Sequence, residues 1–174
     1  MMNECTSARC RCGKVELQIV GPPILRGICY CASCQEAGRR YKEVPGGDSV
    51  LAEDGGTDYV LYRKDRVRCV QGGNLFEERR LRPGSPTRRM YARCCKTAMF
   101  LDFTKGHWLT VYRGRLPNGI PAATMRMMTA ERPEGVILPN DMANYPRHSA
   151  KFMLKLLRAW MAMGLRRPAI DGVP

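Results

Sequence analysis

Val15, Leu17 and Ile19 alternate with Glu16 and Gln18, the period-two pattern of a strand with one face buried. Gly21, Pro22 and Pro23 end that strand. A second strand is predicted over 24–31, followed by a turn over 31–34 and a short helix over about 35–40. Further strands are predicted over 57–62, 67–71, 75–81, 88–91, 99–103 and 109–112, with glycine pairs at 46–47, 55–56 and 72–73 between them. Many short strands joined by turns predict a mainly β, antiparallel and meandering domain over 1–116.

The remainder reads differently. Residues 117–146 hold five prolines and the run Met125, Arg126, Met127, Met128, so 117–148 is expected to wrap or link. The last unit, 149–174, begins with Ser149, a good cap for a helix over 150–163 that Gly164 closes. Met153, Leu156, Leu157, Trp160 and Met163 form its apolar face, and Lys151, Lys155 and Arg158 lie on another. Packing of that apolar face on the chain's own domain is the expectation, with a membrane-surface helix as the alternative.

Seven of the nine cysteines fall into three groups: Cys10 and Cys12; Cys29, Cys31 and Cys34; and the adjacent Cys94 and Cys95. Cysteines this close in sequence are poorly placed to bridge one another. They suit a soft divalent metal, which draws thiolates to about 2.3 Å in a tetrahedron. The C-x-C-x-x-C run offers three ligands from one turn and leaves a fourth position open. The competing reading is a set of packed or redox-active thiols. Cys69 sits in a strand pattern and is expected in the core, while Cys5 is expected to be a mobile N-terminal thiol. His107 and His148, the only histidines, are expected to be ordinary surface or core residues, with His107 the better spare ligand.

Charge adds a second theme. The chain carries 29 Lys and Arg against 16 Asp and Glu, a formal net charge of +13. Residues 63–93 alone hold 10 basic and 3 acidic side chains. Nucleic acid, an acidic membrane or an anionic small substrate would all be attracted. A merely solubilising surface is the alternative, since the arginines are not interleaved with stacking aromatics. No apolar run approaches the ~20 residues of a membrane span, and no basic segment followed by an apolar stretch opens the chain. A cytoplasmic location is the expectation. No phosphate loop, dinucleotide fingerprint or Ser/His/Asp set can be nominated.

Three stretches together carry a family resemblance: 8–15 with Cys10-Arg-Cys-Gly13, 29–35 with Cys29-Tyr-Cys-Ala-Ser-Cys34, and 91–97 with Cys94-Cys-Lys-Thr97. Over about residues 8–112 the chain resembles the glutathione-dependent formaldehyde-activating enzymes and the centromere-protein-V-like proteins. Their pattern is C-x-C-G, a strand pair, C-x-C-x-x-C, a β region and C-x-x-C-G-T. The third motif differs here, because Ala92 stands at the first cysteine position, Cys94 adjoins Cys95, and Lys96 replaces the glycine. The resemblance implies a β-tent of small antiparallel sheets pinned by zinc. It implies a catalytic zinc on Cys29, Cys31 and Cys34, and a structural zinc on Cys10, Cys12 and Cys95, with Cys94 as the added sulfur. The structural ion would be held in altered geometry, take another ligand, or be absent. The implied reaction joins glutathione, or another thiol, to formaldehyde or a related aldehyde, or cleaves that adduct. Arg39, Arg40 and Lys42, just beyond the second motif, are candidates for binding the carboxylates of glutathione.

Three functional classes follow: a zinc-dependent carbon–sulfur lyase, a non-catalytic basic zinc module that binds nucleic acid or an acidic partner, and a thiol-redox protein using Cys94 or Cys95.

Overall fold

The computed structural model describes residues 5–47 and 49–174. Its strands are β1 (Cys5–Arg9), β2 (Glu16–Val20), β3 (Leu25–Cys29), β4 (Thr57–Arg63), β5 (Val67–Gln71), β6 (Phe76–Arg79), β7 (Thr87–Ala92), β8 (Thr97–Phe103), β9 (Trp108–Tyr112), β10 (Met125–Met127) and β11 (Ala143–Asn144). Two helices accompany them, α1 (Ala32–Glu43) and α2 (Ala150–Met161). The protein is thus mainly β with a C-terminal helix, as the alternation predicts. Among the described residues no helix is long and apolar enough to cross a membrane.

The smaller sheet is antiparallel, in the order β1-β2-β5. The larger has eight strands in the order β11-β10-β3-β4-β9-β8-β7-β6. Its central and outer strands are antiparallel neighbours, whereas β10 and β11 run parallel to their partners. The sheet therefore extends beyond the small antiparallel pair implied by the resemblance. The strand β10 arises inside the segment expected to wrap or link. Its three residues, methionines around an arginine, show no readable alternation, yet all are buried. Arg126 is tolerated there because Asp141 accepts from its Nη1 at 2.6 Å.

Side chains on a strand alternate between faces. One face of the larger sheet presents Val60, Tyr62, Met90, Phe100, Leu109 and Val111 to Ala8, Val15, Leu17 and Ile19 of the smaller sheet's side. That contact is the main core, and burying each large aliphatic side chain in it is worth about 1.5–3 kcal/mol. The other face carries Thr57, Tyr59 and Leu61 of β4, Thr87 and Arg89 of β7, Leu101 and Phe103 of β8, and Trp108, Thr110 and Tyr112 of β9. The two helices share this second face. Tyr41 of α1 packs edge-on against Tyr91 and Tyr112. Phe152 and Leu156 of α2 pack with Leu25, Tyr59 and Leu61.

Local chemistry sets the helix limits. Cys31 is extended (φ −63°, ψ 147°), and its carbonyl accepts from Cys34 and Gln35 N–H, so α1 starts one residue later. Pro45 follows the extended Val44 and stops it. Gly38 is required in between, since a Cβ would meet Leu51 Cγ at 2.2 Å. The phenylalanine N–H at position 152 donates to Ser149 Oγ at 3.1 Å, which is the expected cap of α2.

Two expectations about α2 and β1 change. Only part of the apolar face of α2 is covered: Leu156 and Met163 are buried, but Met153 and Leu157 are exposed. Cys5 is exposed but not loose, because it opens β1 and lies opposite Val20 of β2. Cys69 is half-buried against the main core, and its thiol donates to the Gln71 carbonyl at 3.2 Å.

Candidate metal centres and the cleft beside them

Two groups of sulfurs form, and each lies within 4.8 Å: Cys10, Cys12, Cys94 and Cys95; and Cys29, Cys31 and Cys34. All cysteines are free thiols.

The four-sulfur group is built by two turns. The Gly13 N–H donates to the Cys10 carbonyl at 3.0 Å and the Cys10 N–H to the Val15 carbonyl at 3.1 Å, a tight knuckle that leaves Cys10 buried and Cys12 exposed. Cys94 and Cys95 lie in the turn between β7 and β8, not in a strand. A strand would send their side chains to opposite faces, so this turn is what lets both sulfurs converge. Lys96 adopts the left-handed conformation (φ 56°) that glycine takes freely, at the cost a Cβ incurs there. Arg11 ties the two turns together: its N–H donates to Thr97 Oγ1 at 3.2 Å, and its Nη2 to the Cys95 carbonyl at 3.0 Å.

Four thiolates about 2.3 Å from a tetrahedral zinc stand about 3.8 Å from one another. Here Cys10 to Cys12 is 3.6 Å, Cys10 to Cys94 3.9 Å, Cys12 to Cys94 3.4 Å and Cys94 to Cys95 3.9 Å. The residues fit a closed, four-thiolate ion site. Burial opposes ionisation of Cys95, but hydrogen bonds from Thr97 and Cys12 outweigh it and bring its pKa down to about 6. Burial and the neighbouring thiols push Cys94 up to about 12.

The three-sulfur group joins the end of β3 to the first turn of α1. The Cys31 N–H points at Cys29 Sγ, 3.5 Å away, and Ser33 Oγ lies 3.2 Å from Cys31 Sγ. Cys31 is the favoured thiolate, because Cys29 and Cys34 hydrogen-bond to it. The same hydrogen bonding pushes Cys29 up to about 12 and raises Cys34. Three converging sulfurs without a fourth fit an ion with one open position. Among the described residues, only cysteines make up the two groups.

Two cavities meet at Cys31. One, about 810 Å³, is lined by Glu36, Arg39, Arg40, Arg82 and Glu131. The other, about 410 Å³, lies between the larger sheet and α2 and is mainly apolar. Cys31, Ser33, Thr87, Arg89 and His148 line both.

Arg39 and Arg40 line the larger cavity, which also reaches Cys31. Glu36 holds both from one turn earlier, accepting from Arg39 Nη2 at 2.9 Å and Arg40 Nε at 2.7 Å. These bonds hold the Glu36 carboxyl below the usual carboxylate range. Lys42 is a correction: it is exposed at the far end of α1 and lines neither cavity.

His107 is buried away from both sulfur groups, with Nε2 2.8 Å from the Leu156 carbonyl and its ring stacked on Trp160. His148, the weaker choice from sequence, stacks on Phe152 and lines both cavities.

Arg89 was not singled out by sequence. It is buried, its Nη2 donates to the Ser33 carbonyl at 3.3 Å, and its Nε has no partner. The available signal was the alternation of β7, which sets Arg89 on the face opposite Met90. Glu131 carries no sequence signal of its own. Its carboxylate accepts from the Ala32 N–H at 2.7 Å, capping α1 beside the cysteines.

No protein-family model matches the chain, and no curated protein matches it. Among solved structures it is similar to the crystal structure of a Rhodobacter sphaeroides protein from structural genomics. The two share 15% identity, with a TM-score of 0.45, over 80% of this chain and 98% of that one. The family resemblance accordingly rests on the cysteine motifs alone.

Proposed function

We propose that this chain is a zinc-dependent carbon–sulfur lyase-like protein, joining glutathione or another thiol to formaldehyde or a related aldehyde and cleaving the adduct in reverse. The observation that carries the reading is the convergence of Cys29, Cys31 and Cys34 at the junction of a polar, arginine-bearing cavity and an apolar one.

A zinc ion held by Cys29, Cys31 and Cys34 would supply thiol activation, lowering the pKa of a sulfur at the open position. The chain's own residues do the rest. Arg39 and Arg40 each retain N–H donors beyond the bond to Glu36, and these suit the carboxylates of a peptide thiol. Arg89 offers its unpaired Nε at the boundary between the cavities. A ring nitrogen of His148, which lines both cavities, is the acceptor assigned to the thiol proton. As the sulfur bonds to the carbonyl carbon, the carbonyl π pair moves to oxygen, which receives that proton. Reversal returns the proton and breaks the carbon–sulfur bond. No oxidant or reductant is needed.

The basic zinc module is supported less well. Several cations of 63–93 are already engaged: Arg63 with Asp65, Lys64 and Arg88 with Asp102, Arg79 with Glu77 and Arg80 with Glu78. For the thiol-redox reading, Cys94 and Cys95 would have to leave the four-sulfur group that their distances suit.

The test is metal substitution. With cobalt in place of zinc, glutathione should change the visible spectrum, and S-methylglutathione should change it far less. Replacing Cys29, Cys31 and Cys34 together with serine should remove close to one equivalent of metal. A spectrum indifferent to glutathione, with salt-sensitive binding to DNA or RNA, would overturn the reading in favour of the basic module.

A further inference from the structure

We propose that the carbonyl substrate of this site carries an apolar chain or ring, which occupies the chamber between the larger sheet and α2; this rests on the thiol–aldehyde reading above.

The chamber is a consequence of strand register. Leu61 and Leu101 both lie opposite Thr110, and Leu101 lies opposite Arg89, so these four form one row across β4, β9, β8 and β7. Phe103 and Trp108 extend the same face, and Phe152 and Leu156 of α2 close it from above. The result is a cavity of about 410 Å³, within the range of ligand pockets. A one-carbon aldehyde would leave nearly all of this space without a partner. Between its polar groups the lining is leucine and aromatic side chains, which an apolar group covers better than water does.

Two polar atoms of the lining have no partner. Thr57 lies opposite Cys29 in the β3–β4 ladder, is 2% exposed, and its hydroxyl has no partner. Arg89 Nε is likewise buried and unpaired. Both residues line the chamber that the cysteines open into. Buried polar atoms are nearly always paired. A carbonyl oxygen held by the Thr57 hydroxyl, beside Cys29, would satisfy the donor and leave the substrate's carbon chain among Leu61, Leu101 and Trp108.

Polarity therefore divides the cleft between the two reactants. The peptide thiol, with its carboxylates, matches Arg39, Arg40 and Arg82 on one side of Cys31. The apolar aldehyde matches the chamber on the other. The joining step is the one already given: the carbon–sulfur bond forms, and the thiol proton passes to the carbonyl oxygen.

The chain has two tryptophans, Trp108 and Trp160, so Trp160→Phe leaves Trp108 as the sole reporter in the chamber. Zinc-loaded protein of this type is titrated with octanal, with octan-1-ol, which lacks the carbonyl, and with formaldehyde. Octanal and octan-1-ol should saturate a change in Trp108 emission, octanal at a concentration at least about tenfold below any effect of formaldehyde, since the extra methylenes leave water. Leu101→Arg and Thr110→Phe, made separately, should each weaken octanal about tenfold. Both should keep the zinc content and the cobalt response to glutathione. Octanal no tighter than formaldehyde, or unaffected by both folded variants, would overturn the proposal. If the cobalt site answers glutathione but octanal does not bind, only the chamber assignment falls. If octanal binds but the cobalt spectrum ignores glutathione, the thiol reading fails and the aldehyde's role as co-substrate fails with it.

Discussion

The sulfurs of Cys12 and Cys94 stand 3.4 Å apart across 82 positions of sequence. The contact fastens the knuckle before β2 to the turn between β7 and β8, and so links the two sheets at the ends of their strands. It is too long for a disulfide, which needs about 2.05 Å, and close to the spacing of thiolates around one ion.

A metal in that position contributes directly to folding stability. Cys12→Ser, or exposure to a chelator, should lower the melting temperature by about 10 °C. Cys5→Ser, at an exposed strand end outside both sulfur groups, should change it by no more than about 1 °C; for a chain of this size about 1 kcal/mol corresponds to 2–4 °C. Thermal denaturation followed by circular dichroism checks both. Small, equal shifts would mean that packing and the Arg11 bonds hold the turns together without an ion.

Arg89 and Lys42 separate a cleft arginine from a surface lysine. Removing a charge-assisted hydrogen bond costs about 1.5–3 kcal/mol, so Arg89→Met should weaken glutathione binding by about tenfold to a hundredfold. Lys42→Met, outside both cavities, should leave it unchanged. Calorimetric titration of the zinc-loaded variants reads the difference. Equal affinities for the two variants would remove Arg89 from the binding site.

His107 makes stability depend on pH. Burial holds its pKa below the ordinary 6.5, with Arg167, Lys64 and Arg63 acting in the same direction. The unfolded chain therefore binds the proton first. This contribution is fully present above about pH 6.5 and is lost as the pH falls from there through the folded value. His107→Gln keeps a donor for the Leu156 carbonyl but does not titrate. Its melting temperature should fall less steeply than that of the parent chain between pH 7.5 and 5. Parallel curves would show that acid acts elsewhere, on the thiolate groups above all.

Ser149 is the cap that fixes where α2 begins. Ser149→Ala leaves the Phe152 N–H without its acceptor and should cost about 1 kcal/mol, or about 2–4 °C in melting temperature. Ser149→Asp, which retains an acceptor, should restore it. A variant with unchanged melting temperature would mean that packing of Phe152 and Leu156 alone holds the helix start.

Sequence by itself determined the parts whose cause is local. Alternation at Val15, Leu17 and Ile19 reports a buried face because a strand's side chains reverse every residue. Spacing of Cys29, Cys31 and Cys34 reports convergent sulfurs because one turn spans them, and Ser149 reports a helix start because its oxygen reaches a free N–H three residues on. Tertiary structure decided what depends on distant pairing. Met125–Met127 became a strand only because β3 offered it an edge. Cys94 could join Cys10 and Cys12 only because β7 and β8 turn beside the knuckle. His148, in the loop before α2, and Arg89 of β7 are 59 positions apart in number and reach one cleft through the packing of α2 on β3 and β4, while Lys42, three residues beyond Arg39, is carried away from it by the helix. Short-range steric and hydrogen-bonding preferences are written residue by residue along the chain. Which surfaces meet is settled by the burial of whole faces, and that depends on every strand at once.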